Sequence, residues 1–240
     1  PAGPGSTPAE APIGVFDSGV GGLSVLRALR SALPHEHLIY LGDTARVPYG
    51  TKGADTIVRY SVNITHHLVK AGCKAIVIAC NTASAFGYEA ARELAGVPVI
   101  DVINPVADAL TADSAIRTVG VLATRSTVAS HAYPRAISLR RPDLHVVQQA
   151  CPLLVPLAEE GWTEGDVPNR VVDRYLDEGF EGAPDALVLG CTHYPLLREL
   201  ITARATRRWG HPPRVVDSGD ATRRALSRAL QGAGISAPKH

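Results

Sequence analysis

Two stretches of this chain repeat one design: Lys74-Ala-Ile-Val-Ile-Ala-Cys80-Asn-Thr-Ala-Ser84 and Asp185-Ala-Leu-Val-Leu-Gly-Cys191-Thr-His-Tyr-Pro195. In each, an unbroken aliphatic and β-branched run leads to a small residue, a cysteine and polar residues before a helical pattern begins. Runs that are apolar throughout suit strands buried on both faces, as parallel strands covered by helices are. Each thiol then stands at a strand's carboxyl end, the edge where open α/β sheets form their ligand crevice. Two thiols so placed could approach one bound molecule from opposite sides. That arrangement suits a reaction that inverts a stereocentre.

The rest of the chain keeps the same rhythm. Strand-like runs are predicted at Ile13–Phe16, Leu38–Leu41, Ala75–Ala79, Val97–Val102, Thr118–Leu122, His145–Gln148, Ala186–Leu189 and Arg214–Val216. Apolar residues at three- and four-residue spacing predict helices over Leu23–Leu33, Ala54–Ala71, Ala85–Ala95, Val128–Leu139, Val167–Asp177 and Leu196–Trp209. Ile13-Gly-Val-Phe-Asp-Ser18 is echoed by Val119-Gly-Val-Leu-Ala-Thr124 at nearly the offset that separates the two cysteines. A duplicated unit accounts for both echoes. The expected fold is α/β, with two pseudo-symmetric three-layer domains whose mainly parallel sheets face each other across a cleft. Residues 13–100 with 213–231 would form the first domain and 101–212 the second, with flexible tails at 1–12 and 232–240.

With 24 Lys and Arg against 23 Asp and Glu, the chain lacks the basic footprint of a nucleic-acid binder. Arg223-Arg-Ala-Leu-Ser-Arg228 is spaced as a solvated helix face. No apolar run approaches membrane-spanning length. The four cysteines, Cys73, Cys80, Cys151 and Cys191, form no CxxC pair in a chain too large to depend on disulfides. Residues 1–12 lack the basic and apolar regions of a secretion signal. A cytoplasmic protein with reduced thiols, no membrane and no nucleic-acid partner is expected.

Cys73 and Cys151 read as small buried apolar residues. Cys80 and Cys191, each beside polar residues and a helix start, read as chemical groups. Asp17-Ser18-Gly19-Val20-Gly21-Gly22 follows the first strand, and its glycines suit close backbone approach. It fails as a dinucleotide fingerprint because Ser24 stands where the third glycine belongs. Asp17 would instead pair with a substrate ammonium while Ser18 binds a carboxylate. After the second strand, Tyr49 and Gly50 could touch a small ligand, whereas Asp43 reads first as a turn or helix cap. Glu159 reads locally as an ordinary solvated carboxylate. His193 could tune Cys191 or donate a proton, and Cys-Thr-His is too little for a metal site.

Taken together, Val15–Gly22, Gly42–Gly50, Ala79–Ser84 and Leu189–Pro195 resemble the glutamate racemases. The resemblance runs from about Ile13 to the last helix. It implies cofactor-independent interconversion of L- and D-glutamate, supplying D-glutamate for peptidoglycan, by a cytoplasmic homodimer. It implies Cys80 and Cys191 as the acid/base pair, Cys80 acting on D-glutamate and Cys191 on L-glutamate. Asp17, Ser18, Pro48, Tyr49, Gly50, Asn81, Thr82, Thr192 and His193 would surround the substrate. Asp43, Glu159 and His193 would assist the thiols, and Thr124, at the echo of Ser18, would add a substrate contact. Competing readings are a racemase for aspartate or another amino acid, a cysteine hydrolase, and a regulatory partner such as the gyrase-binding role described for some family members, for which the sequence carries no support.

Overall fold

The computed structural model describes residues 9–238. Its eight strands are β1 (Ile13–Asp17), β2 (Leu38–Gly42), β3 (Ala75–Ile78), β4 (Val99–Ile100), β5 (Thr118–Ala123), β6 (His145–Ala150), β7 (Ala186–Gly190) and β8 (Arg214–Asp217). They form two four-stranded parallel sheets in the orders β2-β1-β3-β4 and β6-β5-β7-β8. The sheets have the same plan. β1 and β5 are inner strands, and the strand leading to a cysteine lies beside each, so Ile13 pairs with Ala75 and Val119 with Ala186. The carboxyl ends of β1 and β3, and of β5 and β7, therefore come out as neighbours. All residues of β1, β3 and β7 are buried, as continuous apolar runs require.

Ten helices cover the sheets: α1 (Leu23–Ala32), α2 (Ala54–Lys70), α3 (Asn81–Ala95), α4 (Asn104–Thr111), α5 (Arg125–Ala129), α6 (Ala132–Ser138), α7 (Leu154–Glu159), α8 (Asp166–Gly179), α9 (Arg198–Trp209) and α10 (Ser218–Gly232). Each sheet carries a core on both faces. Ile57, Ile64 and Leu68 of α2 pack with Phe16, Ile76 and Ile78, while Val25 and Leu29 of α1 and Leu226 and Leu230 of α10 pack with Ile13, Val15 and Val77. In the second unit, Val106 and Leu110 of α4 join Val119, Val121 and Val188, and Leu176 and Ile201 join Leu122 and Leu189.

Several expected boundaries shift for local reasons. α3 begins at Asn81 rather than Ala85, because the Cys80 sulfur caps it by accepting from Ala83 N–H. The helix expected over 128–139 is two helices, broken at His131, whose φ of 52° is left-handed. There Ser130 Oγ donates to Thr127 O and accepts from Ala132 N–H, which ends one helix and starts the next. The fourth strand shortens to Val99–Ile100. Asp101 then turns the chain by accepting from the N–H groups of Ile103 and Asn104, opening a helix that periodicity did not signal.

Two assignments of chain segments are corrected. Arg214–Asp217 was expected with the first unit but pairs with β7 in the second sheet; only the following α10 returns to pack on α1. Of the two expected tails, residues 1–8 and 239–240 lie outside the described residues. The described parts are fastened to the first unit: Lys74 N–H donates to Pro12 O, Lys74 Nζ to Ala9 O, and Ala237 N–H to Glu36 Oε1 at 2.8 Å. Lys74 and Glu36 themselves form a buried ion pair of 2.6 Å.

Candidate active site

Cys80 follows β3 directly and caps α3. Its sulfur lies 3.4 Å from Ala83 N and 3.6 Å from Ser18 Oγ, at the end of the neighbouring strand β1. Burial pushes the thiol up to about 12, and the Asp17 carboxylate adds to that; Ala83 N–H and Ser18 work the other way. Cys191 follows β7 in the equivalent place, with His193 Nδ1 3.8 Å from its sulfur. Burial raises this thiol too, the charges of Cys80 and Asp17 reinforcing the shift and the backbone N–H groups of His193 and Tyr194 opposing it. His193 Nε2 in turn stands 3.2 Å from Glu159 Oε1 on α7.

Asp17 joins the two units. Its carboxylate accepts from Gly19 N–H at 2.8 Å and from the Thr192 hydroxyl at 3.3 Å, while being wholly buried. Of the glycines that follow, Gly21 is pressed by the other unit and Gly22 by its own. A Cβ on Gly21 would come within 2.6 Å of both the His193 ring and Thr192 Oγ1, and one on Gly22 within 2.5 Å of Asp17 Cβ. Close approach, rather than a phosphate, explains this loop.

Across the seam, the hydroxyls of Thr82, Thr124 and Thr127 form a closed triangle of 3.0, 3.1 and 3.0 Å. Thr82 belongs to α3 and the other two to the start of α5. Ser126 Oγ donates to Gly50 O, and a Cβ on Gly50 would meet Thr124 Cβ at 2.8 Å. Asn81 Nδ2 donates to the buried Tyr133 hydroxyl on α6.

Beside these groups lies a cavity of about 280 Å³. Both cysteines line it, with Ser18, Pro48, Tyr49, Gly50, Asn81, Thr82, Thr124, Glu159, Thr192 and His193. Asp17 and Asp43 do not line it. Asp17 lies behind Thr192, and Asp43 accepts from the Tyr49 hydroxyl at 2.5 Å and from Arg46 Nε at 2.9 Å, holding the Tyr49 turn as a cap-like residue should. Burial and this carboxylate together raise the Tyr49 phenol, so it stays a neutral donor. A larger, more open groove of about 1020 Å³ on the α1 and α10 side reaches Cys191 but not Cys80. Chemistry that needs both thiols belongs to the smaller cavity.

A family model described as Asp/Glu/Hydantoin racemase matches residues 13–226. The chain belongs to that family. Among relatives of this family member, a glutamate racemase of Geobacter metallireducens is 47% identical over 94% of this chain and 82% of its own length. A crystal structure of glutamate racemase from Thermus thermophilus with β-chloro-D-alanine superposes with a TM-score of 0.85 at 44% identity, covering 96% of this chain and 84% of that one. Glutamate racemase from Francisella tularensis in complex with D-glutamate gives a TM-score of 0.90 at 36% identity, over 97% and 85%.

In this racemase-family chain, the sequence missed part of the cavity wall. Arg125, Pro152, Val155 and Pro156 also line it. Arg125 could have been suspected as the residue after Thr124. The wall formed by α7 and the residues before it carries two prolines, Pro152 and Pro156, and no helical period long enough to read. Glu159, which looked like an ordinary surface carboxylate, faces the cavity with a side chain 41% exposed, against His193.

Proposed function

We propose that this protein interconverts L- and D-glutamate without a cofactor, Cys80 and Cys191 acting as opposed acid and base. The observation that carries the reading is the pair of thiols lining one cavity, each at the carboxyl end of an equivalent strand. One thiolate takes the α-proton and becomes a thiol; the other thiol gives its proton to the opposite face of the carbanion and becomes a thiolate. The cycle returns the site with the roles exchanged. Cys80 would act on D-glutamate and Cys191 on L-glutamate.

The raised thiols set the conditions. In the free protein, burial and Asp17 hold both as neutral thiols at neutral pH. A substrate ammonium near Asp17 and Thr192 offsets the carboxylate's charge, and a nearby positive charge favours thiolate. His193, backed by Glu159, is positioned to receive the Cys191 proton. On the other side, Ser18 and Ala83 N–H support the Cys80 thiolate. Hydroxyls of Ser18, Thr82 and Thr192, with backbone N–H groups, are placed to stabilise charge developing on the α-carboxylate. Pro48, Tyr49, Gly50, Asn81 and Thr124 complete the wall. Asp43 acts through Tyr49, as a positioning residue.

The family resemblance supports a homodimer in the cytoplasm that supplies D-glutamate for peptidoglycan. Among the described residues no helix is long and apolar enough to cross a membrane. The test is incubation with each glutamate enantiomer in D2O, following optical activity and α-deuterium together, with L-aspartate in parallel. Loss of optical activity from both enantiomers with deuterium at Cα supports the reading. Folded, reduced protein that catalyses neither exchange nor inversion refutes it.

A further inference from the structure

Tyr133 is wholly buried and forms no part of the cavity wall. It stands in the first turn of α6, the helix that starts at the left-handed His131. Burial raises its phenol, so the hydroxyl keeps its proton. That hydroxyl accepts from Asn81 Nδ2 at 2.8 Å, across the seam between the two units. Asn81 follows Cys80 and is the first residue of α3, the helix that the Cys80 sulfur caps. The Tyr133 ring lies against Gly190, the residue before Cys191, where a Cβ would come within 3.1 Å of Tyr133 Cε2. The Ser218 hydroxyl, buried at the start of α10 and without another partner among the described residues, acts on the same phenol.

One side chain thus meets both segments that carry the thiols. The hydrogen-bond contacts of each sulfur lie within its own unit, Ala83 and Ser18 for Cys80 and His193 for Cys191. Their alignment across the seam depends on other groups. The residue after each cysteine supplies one: Thr192 donates to Asp17 beside Cys191, and Asn81 donates to Tyr133 beside Cys80. Asn81 Oδ1 is buried without a partner, so among the described residues the bond to Tyr133 alone fixes that amide. Proton transfer at one carbon by two opposed groups needs both held in line, and a displacement of about 1 Å can cost about a hundredfold in rate.

Resting on the two-thiol reading above, we propose that Tyr133 is a positioning residue that aligns Cys80 with Cys191, holding Asn81 by its hydroxyl and seating Gly190 against its ring. It acts only through those two segments. Loss of the hydroxyl frees the Cys80 end while the ring still seats the other.

Tyr133→Phe makes that change. Racemisation of both glutamate enantiomers is measured for wild type, Tyr133→Phe, Asn81→Ala and the double variant, with activity expressed per folded molecule from urea unfolding curves. Tyr133→Phe is expected to lower kcat about tenfold and to keep KM within about threefold. Asn81→Ala should lower kcat at least as far, and the double variant should be no slower than Asn81→Ala alone, because the hydroxyl acts through that amide. A hydroxyl that served stability alone would shift the unfolding midpoint and leave kcat per folded molecule unchanged. Ser218→Ala leaves Asn81 and the ring in place and withdraws the group that orients the phenol O–H; it should lower kcat about threefold, and it decides the matter if Tyr133→Phe does not fold. A kcat within about twofold of wild type in the deciding variant, or losses that multiply in the double variant, overturns the assignment while wild-type racemisation upholds the function reading. Wild-type protein that racemises neither enantiomer overturns both.

Discussion

Replacing Lys74 with methionine keeps the unbranched stem of the side chain and removes only its charge. The side chains of Lys74 and Glu36 are 3% and 4% exposed, with 2.6 Å between Nζ and Oε2. In Lys74→Met, Glu36 keeps Ala237 N–H on Oε1 but loses its counter-ion in a place water does not reach. Removing one member of a buried ion pair costs about 3–5 kcal/mol, most of it the uncompensated charge that remains. The double variant Lys74→Met/Glu36→Gln removes that charge while keeping an acceptor for Ala237. It should recover all but about 1 kcal/mol, the scale of the lost hydrogen bond to Ala9 O. Urea unfolding of the wild type, Lys74→Met, Glu36→Gln and the double variant measures the cycle. Lys74 precedes β3 and Cys80 follows it, so the pair is about 20 Å from the thiol at the strand rise per residue. Activity per folded molecule should therefore not change. A loss below about 1 kcal/mol, or a double variant no more stable than Lys74→Met, refutes the reasoning.

Cys80→Ala and Cys191→Ala should each lower racemisation by about a hundredfold or more, the usual scale for losing a positioned acid or base, with the circular dichroism spectrum retained; near-wild-type activity in either refutes the two-thiol mechanism. Because burial and Asp17 push the Cys80 thiol up to about 12, its iodoacetamide alkylation, followed by peptide mass spectrometry, should rise about tenfold per pH unit from about pH 7 to pH 9. Levelling off below about pH 9, as an unshifted thiol would begin to do, contradicts the buried environment. Gly21→Ala sets a methyl 2.6 Å from the His193 ring; it should cost about 1–3 kcal/mol in a melting experiment and lower kcat as His193 is displaced from Cys191. Unchanged values for both would show that the seam yields freely.

Periodicity made the sheets legible because each inner strand is buried on both faces and so is apolar throughout. It could not show where a strand lies when its neighbours decide. Arg214–Val216 reads as a strand in isolation, yet only its pairing with Val188 and Leu187 assigns it to the second sheet. Short helices begun by side-chain caps escaped notice as well, Asp101 before α4 being the clearest. In the site, the residues set by chain position were visible: a cysteine after each of two matching strands. Those set by approach across the seam were not. Nothing near Gly21 says that His193 lies against it, and nothing near Thr82 says that its hydroxyl meets Thr124 and Thr127.

The chain passes between the two sheets at two places, once after β4 through Asp101 and once after β8 at Asp217, where α10 starts in one unit and packs on the other. Two bodies joined at two points can turn about the line through those points but cannot slide or twist freely. A turn about that line that widens the cavity would draw Thr82, on the first unit, away from Thr124 and Thr127 on the second. Admitting a ligand by that route and parting Thr82 from Thr124 and Thr127 become one event, so a single distance measured between labels on α2 and α8 would report how far the units stand apart.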